Sequence, residues 1–266
     1  MLQHVKHWKM RNDLWTREEL ILSLNLYMKL PFGKLDARTK EVKELANLIG
    51  RTPSAVSYRL GNFAHVDEYH RDRGIRGLSG GYKVCKPIWD EFLQNREILI
   101  FESEKILAQR QHINIEEKFK DNLNDLPHMK GEEKIRAIKT RVNQSVFRQM
   151  VLVNYSSCCA ISKITVPDLL VASHIIPWSK NETERLNPEN GLCLSTIHDK
   201  AFDKGLIGID TDLKIILSKE LKDHRKLPFF EPYFGQFENK SIEQAGKYLP
   251  RREFLEYHLQ NIYKQD

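Results

Sequence analysis

The chain of 266 residues has four cysteines, and no two of them are spaced Cys-x-x-Cys. Cys158 and Cys159 are adjacent, and neighbours of this kind rarely bond to one another or clamp one metal. A disulfide framework and a four-cysteine zinc site are therefore excluded, no structural zinc is expected, and a reducing compartment fits best. Long apolar runs are also missing. Leu169 to Ala172 is short, and Leu213 to Leu217 is broken by Lys214. Neither approaches a membrane span. The opening MLQHVKHWKMRNDLW contains no apolar stretch of signal-peptide length. The expectation is a soluble cytoplasmic protein with no membrane partner. Disorder is excluded too, since 41% hydrophobic and 29% charged residues supply a real core.

Charge is distributed unevenly. Residues 1–65 carry 11 basic and 6 acidic side chains, whereas residues 161–266 carry 15 and 16, so the net +6 resides in the first third. Clustered basic charge is the footprint of a polyanionic partner, most often nucleic acid.

The first third reads as short helices. Thr16 with Glu19 forms a capping box, followed by a stripe of Leu20, Leu24, Tyr27 and Met28 that Pro31 and Gly33 end. A second helix spans about Ala37 to Ile49 with Gly50 as its stop. Thr52 and Pro53 open a third, through SAVSYRL to Gly61. Helix, glycine turn and short helix is the outline of a helix-turn-helix, whose second helix would present Ser54, Ser57, Tyr58 and Arg59, with Arg51 just ahead. An ordinary three-helix bundle with solvated polar faces has the same outline. Residues 70–87, with Gly74, Gly77, Gly80 and Gly81 among basic side chains, read as a linker or loop, either one in which Arg71, Arg73, Arg76 and Lys83 track phosphates or a solvated hinge. The division expected is a helical DNA-reading domain (1–69), this linker (70–87), a helical connector (88–131) and a second domain (132–266, core about 156–220). A long helical stretch from Pro87 to about Asn122 is followed by a break near Asp125 to Gly131. A helix from Glu132 to about Tyr155 then places Ile135, Ile138, Val142, Val146 and Met150 in a core.

From Cys158 the pattern changes. Leu169-Leu170-Val171-Ala172 and Leu192-Cys193-Leu194 read as strands, Thr196 to Lys204 as a helix, and Leu206–Ile209 with Lys214–Leu217 as a hairpin. Strand, long loop, strand and helix bring their ends around one small volume. The polar residues at those ends are His174 in SHIIPW, the Asn190-Gly191 pair, and His198, Asp199 and Asp203. Positions 199 and 203 share a helix face, and 198 lies 100 degrees from 199. Phosphodiester hydrolysis requires a base to deprotonate water and a cation at the leaving oxygen, and these residue types supply both.

His-x15-Asn-Gly-x6-His-Asp, framed by SHIIPWS, LNPENGLCLS and HDKAFDKGLI, strongly resembles HNH endonucleases of the ββα-metal fold, and bacterial HNH restriction endonucleases most closely. The resemblance takes in RVNQSVFRQMVL at Arg141 to Leu152, the closing FLEYHLQNIY, and the amino-terminal WTREELILSLNLY and GRTPSAVSYRLGNFA. It implies an α+β chain, a helical amino-terminal region followed by a carboxy-terminal ββα-metal nuclease. It implies His174 as the general base on water and Asn190 as a brace for the loop that holds it. The family spacing puts Asp199 at the third position, where it would be catalytic as the metal ligand, with His198 a second candidate. Ser173 stands where the family often has a further ligand just before the base. The implied cofactor is a divalent metal ion, Mg²⁺ or Mn²⁺. The implied partners are double-stranded DNA and a second copy of the chain, since two strands need two sites. The implied role is restriction of foreign DNA, with dependence on modified cytosine open. A DNA-binding module with a degenerate HNH fold, and a structure-specific or RNA-directed nuclease, remain alternatives.

Overall fold

A computed structural model describes residues 14–124 and 130–264. The amino-terminal residues 1–13 and most of the break expected near Asp125 to Gly131 lie outside the described residues. The chain divides into two compact units, 1–146 and 147–266. It is mostly helical, with small antiparallel sheets confined to the second unit. Among the described residues no helix is long and apolar enough to cross a membrane.

The first unit contains α1 (Arg17–Lys29), α2 (Lys40–Ile49), α3 (Pro53–Val66), α4 (Glu68–Asp72), α5 (Tyr82–Gln94), α6 (Arg96–Arg110), α7 (Ile115–Lys118) and α8 (Lys120–Leu123). Thr16 and Glu19 form the reciprocal capping box at α1. Gly50 takes φ +68° at the end of α2, a left-handed cap that glycine adopts without steric cost. Tyr27, Phe63 and Trp89 pack as a buried aromatic group, and Tyr27 Oη donates to Asp67 Oδ2 at 2.7 Å. Phe119, Ile138 and Val142 form a smaller cluster. Ile138, Val142, Val146 and Met150 are buried, but Ile135, expected beside them, is 60% exposed.

The structure departs from the sequence reading along residues 61–94. The stop expected at Gly61 is absent, and α3 runs on to Val66. Gly61 is instead a contact surface: a Cβ there would fall 2.8 Å from Leu78 Cδ1. The Leu78 amide donates to the Gly61 carbonyl, and Asn62 Nδ2 donates to the Leu78 carbonyl. The glycine-rich segment is thus seated on α3, and Gly77 lies so close that a Cβ would sit 2.3 Å from the His65 nitrogen. Pro87 falls inside α5, and the long stretch expected to follow breaks at Asn95, which caps α6.

The second unit takes up the last two turns of α9 (Gly131–Asn154), inside which the division between the units falls. It continues with β1 (Leu170–His174), β2 (Gly191–Ser195), α10 (Thr196–Asp203), β3 (Ile207–Ile209), β4 (Ile215–Leu217), α11 (Lys219–Lys222), α12 (Phe230–Tyr233) and α13 (Arg252–Asn261). β1 and β2 pair antiparallel from Leu170↔Ser195 to His174↔Gly191, and α10 packs on both. β3 and β4 form a second antiparallel pair. Arg148 on α9 clamps the start of β1, its guanidinium donating to the carbonyls of Leu170 (2.6 Å) and Pro167 (3.0 Å). The strand pair thus sets His174 at the end of β1, opposite Gly191 at the start of β2.

Candidate active site

His174 is the last residue of β1, and its side chain is tightly boxed. Nε2 lies 2.9 Å from the carbonyl oxygen of Arg185. A carbonyl only accepts, so Nε2 carries the proton and the neutral ring holds its lone pair on Nδ1. Nδ1 has no hydrogen-bond partner among the described residues. One face of the ring stacks on Phe147, with centroids 3.9 Å apart and planes 14° apart, and Trp178 meets it edge-on at 5.5 Å. Burial pulls the His174 pKa down to about 4, so the imidazole is neutral at pH 7 and its lone pair is available.

Asn190, 1% exposed, closes the loop that follows. Its Oδ1 accepts from the Ile176 amide at 2.8 Å, and its Nδ2 donates to the carbonyls of Ile176 and Glu184, both at 3.2 Å. Its own carbonyl accepts from the Ile175 amide. The two residues on either side of His174's loop are thus tied to one side chain, and Glu184 immediately precedes the carbonyl that holds His174. Arg185 contributes twice. Its carbonyl accepts the hydrogen bond from His174 Nε2, while its guanidinium donates to the Trp178 carbonyl and covers the indole ring.

Neighbours on α10 face different surroundings. His198 is 2% exposed, and both ring nitrogens are occupied: Nε2 donates to the Tyr233 carbonyl at 2.8 Å, so Nδ1 accepts from Ser195 Oγ at 2.8 Å. Phe234 and Phe237 meet the ring edge-on. With no lone pair left over, His198 is an anchor of α10 in this structure, away from the metal role expected of it. Asp199 is half-buried and faces Ser173 on β1. Burial raises its pKa, opposed by the Ser173 hydroxyl and Lys200. Asp203, one turn on, is also raised, first by burial and then by the charge of Asp199. Ser173 Oγ is buried and lies outside hydrogen-bond geometry to any partner, Asp199 included.

Among the described residues no group of three or more His, Cys, Asp or Glu side chains comes together to hold a metal ion. What is present is an oxygen set of two mutually repelling carboxylates and an orphaned hydroxyl. Hard oxygen donors in small number suit Mg²⁺ or Mn²⁺, which retain waters and take ligands from substrate phosphate.

The residues expected to meet nucleic acid separate into two groups. Arg51 is 3% exposed and bonded to Glu19 through Nε (3.2 Å) and Nη2 (2.7 Å), and Arg59 is 9% exposed, donating to Asn62. Both guanidinium groups lie over the Trp15 ring. They are buried cations engaged inside the unit, which corrects the reading of them as surface contacts. Ser57 is turned to the Leu35 carbonyl. Ser54, Tyr58, Arg71, Arg73 and Arg76 are exposed.

Residues 159–210, which hold His174, Asn190 and Asp199, match the family model described as HNH endonuclease. The chain carries an HNH endonuclease domain. No curated protein matches the chain. The HNH domain spans β1, β2, α10 and β3, so the match and the antiparallel strand pair with its helix occupy the same segment. Sequence reasoning missed two parts of this HNH site, the Arg185 carbonyl and the Phe147 ring. The first is a backbone atom and leaves no mark in a side-chain motif. The second carried a signal, since Phe147 lies in the helix segment RVNQSVFRQMVL. Ser173 was singled out by its place just before the base, but not the burial of its hydroxyl without a hydrogen-bond partner.

Proposed function

We propose that the chain is a metal-dependent DNA endonuclease in which His174 deprotonates the water that attacks phosphorus. The observation that carries this reading is the His174 imidazole, neutral, held through Nε2–H on a backbone carbonyl, with Nδ1 unpartnered at the end of β1. A base so tethered carries its proton on Nε2 and has none to lose from Nδ1 before it can act. Asn190 positions that base by closing the loop on both sides of it. Asp199, with Asp203 and Ser173 beside it, would hold the divalent ion, Mg²⁺ or Mn²⁺. When bound, such an ion supplies positive charge for the phosphate and the leaving oxygen.

The proposed substrate is double-stranded DNA, and the proposed setting is restriction of foreign DNA by a homodimer, one site for each strand. In the first unit Ser54, Tyr58, Arg71, Arg73 and Arg76 are proposed to contact the duplex, as exposed donors and cations in the segment where the net positive charge accumulates.

The test is incubation of supercoiled plasmid, unmodified and cytosine-modified, with the protein and Mg²⁺ or Mn²⁺, beside His174→Ala. Cutting that needs the metal and disappears in the variant supports the reading. Tight DNA binding without cutting on any substrate would replace it with a DNA-binding module built on a degenerate HNH domain.

A further inference from the structure

We propose that Phe147 is a positioning residue for His174, and that residue 191 is glycine to make room for it. The inference rests on the nuclease reading above and concerns how the base is aimed.

An Asn-Gly pair ordinarily marks a turn that needs φ > 0. Gly191 does not occupy that conformation: its φ of −122° and ψ of 138° are those of an extended strand, open to any residue. What glycine supplies here is space. A Cβ at position 191 would lie 2.4 Å from Val151 Cγ2, 3.0 Å from Phe147 Cζ and 3.3 Å from the Pro188 carbonyl oxygen. Phe147 and Val151 are four residues apart on α9 and so form one ridge. Gly191 is the cross-strand partner of His174. Side chains of directly paired residues project from the same face of a sheet. The ridge of α9 therefore presses onto the one face where His174 has a side chain and its partner has none. The Phe147 ring takes the vacant volume and lies parallel to the imidazole.

The geometric need for such a platform is specific. The hydrogen bond from Nε2 to the Arg185 carbonyl fixes one point of the ring but leaves its plane free to swing about that point. The Trp178 edge limits the swing from one side. The parallel Phe147 face sets the plane itself, and with it the direction of Nδ1. A base misdirected by a fraction of an ångström loses rate rather than substrate affinity.

The experiment compares Phe147→Leu, Phe147→Tyr, Gly191→Ala and the double variant Gly191→Ala/Val151→Ala, each first checked for a cooperative thermal transition. The double variant removes the tightest clash, so that a folded protein with a displaced Phe147 is obtained even if Gly191→Ala alone fails to fold. NMR of the metal-free protein reads the His174 ring protons, which a stacked phenyl ring shifts upfield. Plasmid cleavage with Mg²⁺ reads kcat and KM. The expected result is loss of the upfield shift in Phe147→Leu and the glycine variants. In those variants kcat falls by about tenfold or more with KM unchanged, and Phe147→Tyr keeps both properties. Retention of kcat within about twofold in variants that have lost the shift would overturn the proposal, as would an unchanged shift in the glycine variants. Failure of the nuclease reading has a different signature: the wild-type protein itself cuts nothing while the NMR contrast among variants persists.

Discussion

The imidazole of His174 and the backbone carbonyl of Arg185 are joined by a 2.9 Å hydrogen bond that only the Nε2-protonated tautomer can make. They stand 11 positions apart in the chain, and the loop between is closed by Asn190 rather than by regular structure. The tautomer of the proposed base is thus set by a main-chain carbonyl.

The burial of the ring, which outweighs the opposing pull of that bond, has a pH signature. A histidine at about 4 in the folded state, against 6.5 in its ordinary setting, binds fewer protons folded than unfolded between those values. Stability from this group is whole above pH 6.5, is lost as pH falls toward 4, and reaches a deficit on the order of 3 kcal/mol below it. His258, buried against Phe202 and also lowered to about 4, acts in the same direction. Urea unfolding at pH 7 and pH 4.5 should show a loss that is about halved in His174→Asn. An equal loss in both proteins would contradict the assignment.

Asn190→Asp should be worse than Asn190→Ala in stability. The amide donates to two carbonyls, which a carboxylate cannot do, and the charge would be buried against them. Alanine should cost about 1–3 kcal/mol through the orphaned Ile176 and Glu184 groups. Thermal melts of the two variants give the ordering.

His198 and Asp199 should separate cleanly. His198→Ala removes a buried ring with two hydrogen bonds and is expected to lower stability by about 2–4 kcal/mol. Asp199→Asn removes a carboxylate that burial already disfavours, so stability should hold or rise while metal-dependent cleavage is lost. Melting curves with and without Mg²⁺ check this further: the ion should stabilise the wild-type protein and leave Asp199→Asn unmoved.

In the first unit, Arg51→Ala removes the cation paired with the buried Glu19 carboxylate and should cost about 3–5 kcal/mol. Replacing Arg71, Arg73 and Arg76 together should leave the melting temperature nearly unchanged. It should weaken DNA binding and flatten its salt dependence, read by fluorescence anisotropy across a salt series. A melting loss in the triple variant would mean these arginines hold the unit together instead.

The elements whose signals are local were legible in the sequence. Thr16 with Glu19, Thr52 with Pro53, and the short apolar runs of β1, β2 and the β3–β4 hairpin mark boundaries within a few residues because capping and turn chemistry act over three or four positions. What escaped were relations across long separations. The partner of Arg51 lies 32 residues away, and nothing around RTPSA announces it. Leu78 fills the hollow at Gly61 from 17 residues downstream, so a glycine that reads as a helix stop continues the helix. Within the candidate site the histidines, the asparagine and the carboxylates were visible as types and spacings. Which histidine is engaged on both nitrogens was not, because that depends on the Tyr233 carbonyl, contributed by a segment with no motif.

The segment between Ile176 and Glu184 begins and ends on the same Asn190 amide. Between those ties Ser179, Lys180, Glu182 and Thr183 are exposed, but Trp178 turns back onto the His174 ring and Asn181 Oδ1 accepts from the Thr183 and Glu184 amides. Side chains at the exposed positions can be exchanged at little cost, whereas a peptide spliced in at Asn181 would open that turn and loosen the Trp178 edge against the base. The loop's surface can be rewritten; its length cannot.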